Sequence, residues 1–102
     1  MLLNLVEAVD LALARALSED ESVIILGEDV GRNGGVFRAT VGLREKFGAK
    51  RVLDTPLAET LIAGVAVGMS TQGLRPVAEI QFMGFIYAAL EHLISHAARL
   101  RN

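Results

Sequence analysis

Between Asp54 and Gly73 the chain reads DTPLAETLIAGVAVGMSTQG, and a single carboxylate, Glu59, stands ahead of a long apolar run. At about 3.6 residues per turn, Leu61, Ile62, Val65, Val67 and Met69 fall on every side, so the spacing predicts a helix buried all round. Gly64 and Gly68 share one face and let another backbone come close, and Gly73 is a natural C-terminal stop. A helix with no polar face needs apolar neighbours on every side, so the rest of the chain has to supply packed layers. Glu59 is the oddity in this stretch. An acid in a first turn, after Pro56, complements the helix dipole, and on the residues alone that account suffices.

The 102 residues amount to one domain at most, and 52% apolar with 5% aromatic means a core of Leu, Val, Ile and Ala. Such a chain is too apolar for a disordered segment. A net charge of −2 and the lack of a basic patch give no electrostatic case for nucleic acid. With no cysteine, disulfides and thiolate metal sites are excluded. MLLNLVEAVD mixes acids into its apolar stretch without a basic leader, so neither a signal nor a transit peptide is expected. The apolar helix is shorter than a membrane span of about 20 residues. A soluble, cytoplasmic protein with no membrane partner is the expectation.

Asn4 with Glu7 three residues on forms a capping box, predicting a first helix over 5–17 with Leu5, Val9, Leu13, Ala16 and Leu17 on its buried face. Ser22-Val23-Ile24-Ile25-Leu26 reads as a strand covered on both faces. GEDVGRNGGV follows. Its spacing matches neither a Walker loop nor GxGxxG, and Glu28 and Asp29 would repel a phosphate, so positive φ angles at Gly34 or Gly35 explain the glycines better. Thr40 is expected to cap a short helix, Val41 to Phe47, stopped by Gly48. A second strand is expected over 51–54, a third over 75–82 with Pro76 near its start, and an amphipathic helix over 86–101. Its buried face would be Ile86, Leu90, Leu93, Ile94, Ala97 and Leu100.

Strands alternating with helices imply an α/β fold, a parallel sheet with helices on both faces and right-handed crossovers. Three strands are few for such a sheet, which suggests a piece of a longer subunit.

Chemistry-bearing residues are sparse. His92 and His96 stand four apart on the last helix, but the zincin pattern needs Glu where Leu93 stands, and no third ligand is near; no metal site is expected. Ser70 and Thr71 lack a base. What remains gathers after strand ends: Leu57 and Glu59 after one strand, Gln81, Phe82 and Phe85 after the next. Two adjacent crossovers in a parallel sheet bring such loops to one edge, where open sheets bind ligands. An acid beside aromatic rings suits a flat, nitrogen-containing ring.

GEDVGRNGGVFRATVGLREKFGAKRVLDTPLAET followed by RPVAEIQFMGFIY resembles the start of the beta subunit of the decarboxylating component of 2-oxo acid dehydrogenase complexes. These are thiamine-diphosphate enzymes acting on pyruvate or branched-chain 2-oxo acids, which oxidatively decarboxylate the substrate and pass its acyl group to lipoyl. The resemblance covers essentially the whole chain through GED, GGVFRAT, TPLAE and EIQF. It implies a transketolase-like pyrimidine-binding fold, incomplete here, with residues 1–102 as one partial domain and no second domain.

The resemblance also implies roles. Glu59 matches the glutamate that hydrogen-bonds the aminopyrimidine ring and promotes loss of the thiazolium proton; that job needs a carboxyl able to carry a proton, which desolvation favours and a helix N-terminus opposes. Phe85 matches a ring stacked on the aminopyrimidine, Leu57 a residue lining the same pocket, and Gln81 and Phe82 lie in the same motif. Gly64 and Gly68 resemble the face through which two beta subunits pack. The implied cofactor is thiamine diphosphate, with Mg2+ held mainly by a partner alpha subunit. The implied assembly is alpha2-beta2 on a lipoyl acyltransferase core, in the cytoplasm of a bacterium or archaeon. These residues by themselves would not turn over. An assembly or binding fragment without turnover, and a generic nucleotide-binding α/β domain, are the rival readings. The acyl-pocket residues that choose the 2-oxo acid fall largely outside this stretch.

Overall fold

A computed structural model describes residues 2–100. The elements run α1 (Leu5–Glu19), β1 (Val23–Gly27), α2 (Leu43–Phe47), β2 (Val52–Asp54), α3 (Glu59–Thr71) and β3 (Arg75–Ala78). They are followed by a 3-10 segment, Met83–Ala88, and a π-helical segment, His92–Ala97. The three strands form one parallel sheet in the order β2-β1-β3. The chain therefore steps from β1 to β2 in one direction and from β2 back past β1 to β3 in the other. Crossovers of one hand then put α2 and α3 on opposite faces.

Packing agrees with that placement. Successive strand residues point to opposite faces. Val23 and Ile25 join Leu17, Val30, Leu43 and Val52 in a buried cluster formed with α1 and α2. Ile24 and Leu26, also buried, face the other way, the side that α3 covers with Ile62 and Ala63. Burying one such aliphatic side chain contributes about 1.5–3 kcal/mol, so β1, buried along its whole length, is the spine of the domain.

Local signals account for most boundaries. The Asn4 side chain accepts from the Glu7 N–H at 2.8 Å and the Glu7 carboxylate accepts from the Asn4 N–H at 3.2 Å, the expected capping box. α3 ends in a Schellman arrangement: Gly73 (φ 89°) donates to the Ser70 carbonyl and Leu74 to that of Met69.

Five expectations need correction. Thr40 does not cap α2; its hydroxyl is buried and donates to the Val30 carbonyl at 2.7 Å, so the helix begins only at Leu43. α1 buries Leu17 and partly Leu13 and Ala16, while Leu5 and Val9 are exposed, because only its C-terminal half lies over the sheet. α3 is covered on one side only, and Leu61 and Val65 face outward. β3 stops at Ala78 rather than 82: the Glu79 N–H still reaches the Leu26 carbonyl at 2.9 Å, but β1 then turns away through Asp29, whose φ is 59°. The α-helix expected over 86–101 is instead the 3-10 and π segments. Its last expected residue lies outside the described ones. Here Ala89 is buried and His92 lies against Gly64, while Leu93, Ile94 and Leu100 stay exposed. With no described residue covering its outer side, the apolar stripe does not select a regular helix.

Among the described residues no helix is long and apolar enough to cross a membrane.

Candidate functional site

All three strands of the order β2-β1-β3 run the same way, so the segments that follow β1 and β3 stand side by side at their carboxyl ends. The crevice between such segments is where open parallel sheets bind ligands. Register fixes its floor. Leu26 stands opposite Ala78 and Gly27 opposite Asp54, so the loops after all three strands leave from one edge. Gly27 is there because the strands close tightly: a Cβ on it would lie 3.0 Å from the Glu79 Cβ.

The loop after β1 forms one wall. Its glycines at 34 and 35 take φ angles of 74° and 86°, as the sequence predicts. The phosphate alternative is closed by the chain itself. The Gly31 and Arg32 N–H groups donate to the Asp54 carboxylate at 2.7 and 3.0 Å, and the Arg44 guanidinium stands 3.6 Å from it. A carboxylate from β2 thus occupies the amides that a phosphate would need. A Cβ on Gly31 would come within 3.0 Å of that carboxylate, which is why the residue has none.

The opposite wall carries most of the expected site. Gln81 is half-buried just past β3, and its Nε2 is buried without a hydrogen-bond partner. Phe82 and Phe85 are partly exposed and meet edge to face, with centroids 5.2 Å apart and ring planes at 78°. Such pairs contribute about 0.5–1.5 kcal/mol beyond their buried area. Glu59 is the half-buried first residue of α3, where unpaired helix N–H groups gather. The next residue ties that helix mouth to the aromatic segment, since the Thr60 hydroxyl donates to the Ala88 carbonyl at 2.9 Å. Leu57 lies two residues before Glu59, mostly exposed, and offers apolar surface rather than a buried wall.

Two features escaped the sequence reading. Phe37 stands edge to face on Phe82, centroids 5.3 Å apart and planes at 77°, extending the pair to three rings. It is the lone aromatic in the loop after β1, and the common edge of a parallel sheet could have pointed to it. Glu79 is the second. One of its carboxylate oxygens is buried and unpartnered, as is one of Glu28 across the crevice. Burial pushes the Glu79 carboxyl up from its ordinary value.

His92 and His96 lie 5.4 Å apart, centroid to centroid, and no group of three potential ligands forms among the described residues. The imidazole of His92 fills the space beside Gly64, within 3.4 Å of where a Cβ would stand, whereas nothing lies within 4 Å of that position on Gly68.

Buried atoms without a hydrogen-bond partner, on Glu28, Glu79 and Gln81, thus stand on the same segments after β1 and β3 that carry the three aromatic rings. The chain is 52% identical over 101 residues to the pyruvate dehydrogenase E1 component subunit beta of Acholeplasma laidlawii, covering 99% of this chain and 31% of that protein. It is 52% identical over 99 residues to the 2-oxoisovalerate dehydrogenase subunit beta of Bacillus subtilis, covering 97% of this chain and 30% of that protein. It is 52% identical over 100 residues to the 3-methyl-2-oxobutanoate dehydrogenase subunit beta of Mycobacterium tuberculosis, covering 98% and 29%. The chain thus spans about three-tenths of the length of these relatives. A family model described as the transketolase pyrimidine-binding domain matches residues 2–102, and with this parallel sheet it shows that the chain belongs to that family.

Proposed function

We propose that this chain is the pyrimidine-binding part of a thiamine-diphosphate-dependent 2-oxo acid dehydrogenase, working as a beta subunit with an alpha subunit. The reading rests on one observation above the others. A chain half identical to named beta subunits carries a carboxylate at the mouth of α3, tied by Thr60 to the segment that carries Phe85. When bound, thiamine diphosphate would supply the carbanion chemistry that releases carbon dioxide from a 2-oxo acid.

The chain's own residues bind, orient and hold a proton. Phe82 and Phe85 offer ring surfaces to the aminopyrimidine, and Leu57 adds apolar surface. Gln81 Nε2, buried and unpaired, offers a hydrogen bond that a ring nitrogen or its substituent can accept. Glu59 holds or releases a proton at a ring nitrogen, a role that needs a carboxyl rather than any polar group. The diphosphate and its Mg2+ are assigned to the alpha subunit, consistent with the loop amides of this chain being taken up by Asp54. The outward face of α3, with Leu61, Val65 and open Gly68, is assigned to a second beta subunit in an alpha2-beta2 assembly. A lipoyl acyltransferase core receives the acyl group.

Glu59→Gln tests the assignment in the full subunit paired with its alpha chain. The amide keeps the shape and one hydrogen bond, so thiamine diphosphate still binds. Hydrogen exchange at the reactive thiazolium carbon should slow on the order of a hundredfold, the scale of a lost acid–base group. An unchanged exchange rate would return Glu59 to a first-turn acid on a helix dipole.

A further inference from the structure

Phe37 is half exposed, and what holds its ring is another ring. It meets Phe82 edge to face at 5.3 Å, and Phe82 meets Phe85 the same way at 5.2 Å. The three come from two sides of the β1/β3 crevice, and the two sides differ in stiffness.

The loop that carries Phe37 is pinned along its length. Gly31 and Arg32 are held by Asp54, the Gly35 N–H donates to the Asp29 carbonyl at 2.7 Å, and the Thr40 N–H donates to that of Gly34 at 3.1 Å. The buried Thr40 hydroxyl closes the loop on Val30. Phe82 and Phe85, in contrast, follow the end of β3, Phe82 just before and Phe85 within a 3-10 segment that buries no residue of its own. Edge-to-face contact is directional, so the ring on the stiff loop fixes the angle of the next.

We propose that Phe37 is a positioning residue: through Phe82 it sets the orientation of Phe85, and so of the flat heterocycle that the crevice receives. The identity of that heterocycle as an aminopyrimidine rests on the function proposed above; the ring-to-ring coupling does not.

The test uses the full beta subunit with its alpha chain, carrying Phe37→Leu or Phe37→Tyr. With 4-fluorophenylalanine placed at position 85, fluorine resonance of the cofactor-free protein reports the environment of that ring. Phe37→Leu should shift or broaden the signal, and Phe37→Tyr, which keeps a ring edge, should leave it in place. Thiamine diphosphate should bind about fivefold more weakly to Phe37→Leu and within about twofold of normal to Phe37→Tyr, as loss of one edge-to-face contact implies. The rate at saturating cofactor should fall less than the affinity. An unmoved fluorine signal in Phe37→Leu, or equal loss of affinity in both variants, would overturn the proposal. Glu59→Gln run alongside separates the two ideas. Unaltered thiazolium exchange there sinks the functional reading, while the fluorine result still decides whether Phe37 orients Phe85.

Discussion

The two faces of this sheet are built from the same aliphatic residues and end up in different states. On the α1/α2 side, Leu17, Ile25, Val30 and Val52 are each at most 1% exposed and enclose one another. On the α3 side, Ile62 and Ala63 are buried, yet Leu61 and Ile94 are 44% and 62% exposed. An apolar cavity of about 160 Å³ remains there between Ala63, Val67, Ala78 and Ile86. Hydrophobicity is therefore not what separates the faces. At the sheet itself the first is filled by α1 and α2, although Leu5 and Leu11 on α1 stay exposed further out. The second keeps a cavity under a helix whose outer side no described residue covers. A periodic apolar pattern shows that a surface will be buried without showing by what.

The largest expected effect sharpens that contrast directly. Ile25→Ala, at the centre of the closed face, should cost about 2–5 kcal/mol in urea unfolding. Val65→Ala, on the outer side of α3, should stay within about 0.5 kcal/mol in the same measurement. Equal losses would mean that the open face is closed in solution. A smaller effect is expected at the crevice. Asp54→Ala strips the acceptor from the Gly31 and Arg32 amides and should cost about 1–3 kcal/mol, with Asp54→Asn recovering part of it.

The smallest is a slope rather than a loss. Glu79 has its carboxyl raised by burial from an ordinary value of 4.5, so the folded protein keeps a proton that the unfolded chain releases. As pH climbs from 4.5 through the raised value, the folded state binds more protons than the unfolded one, and stability declines. Above the raised value the penalty is complete. Glu79→Gln should remove that part of the decline, and an unaltered pH profile of the unfolding midpoint would show that Glu79 is not desolvated.

What could be read from the sequence follows the same division. β1 was legible because five consecutive buried residues leave few alternatives, and α1 because Asn4 and Glu7 carry their own geometry. Gly48 and Gly73 ended their helices as expected, since a positive φ is a local matter. Leu57 and Glu59 follow β2, and Gln81, Phe82 and Phe85 follow β3, positions that parallel topology puts beyond the same ends of the strands although β1 lies between the two. Thr40 misled because a hydroxyl that can cap a helix can equally bond the Val30 carbonyl, and only tertiary packing decides. Residues 86–100 misled because, among the described residues, nothing packs on the outer side of their stripe to enforce a 3.6-residue period. Phe37 was passed over for a different reason: its neighbour Phe82 lies far along the chain, and only the shared edge of the sheet, not any local pattern, links the two.

The hold of Asp54 on Gly31 also sets an order of events in folding. These groups are 23 residues apart, so the loop after β1 cannot take its final shape until α2 has crossed over and β2 has docked. The amides of Gly31 and Arg32 are then late-acquired and non-locally protected. Their deuterium uptake in the native protein should therefore report the opening of β2, on the far side of β1 from β3.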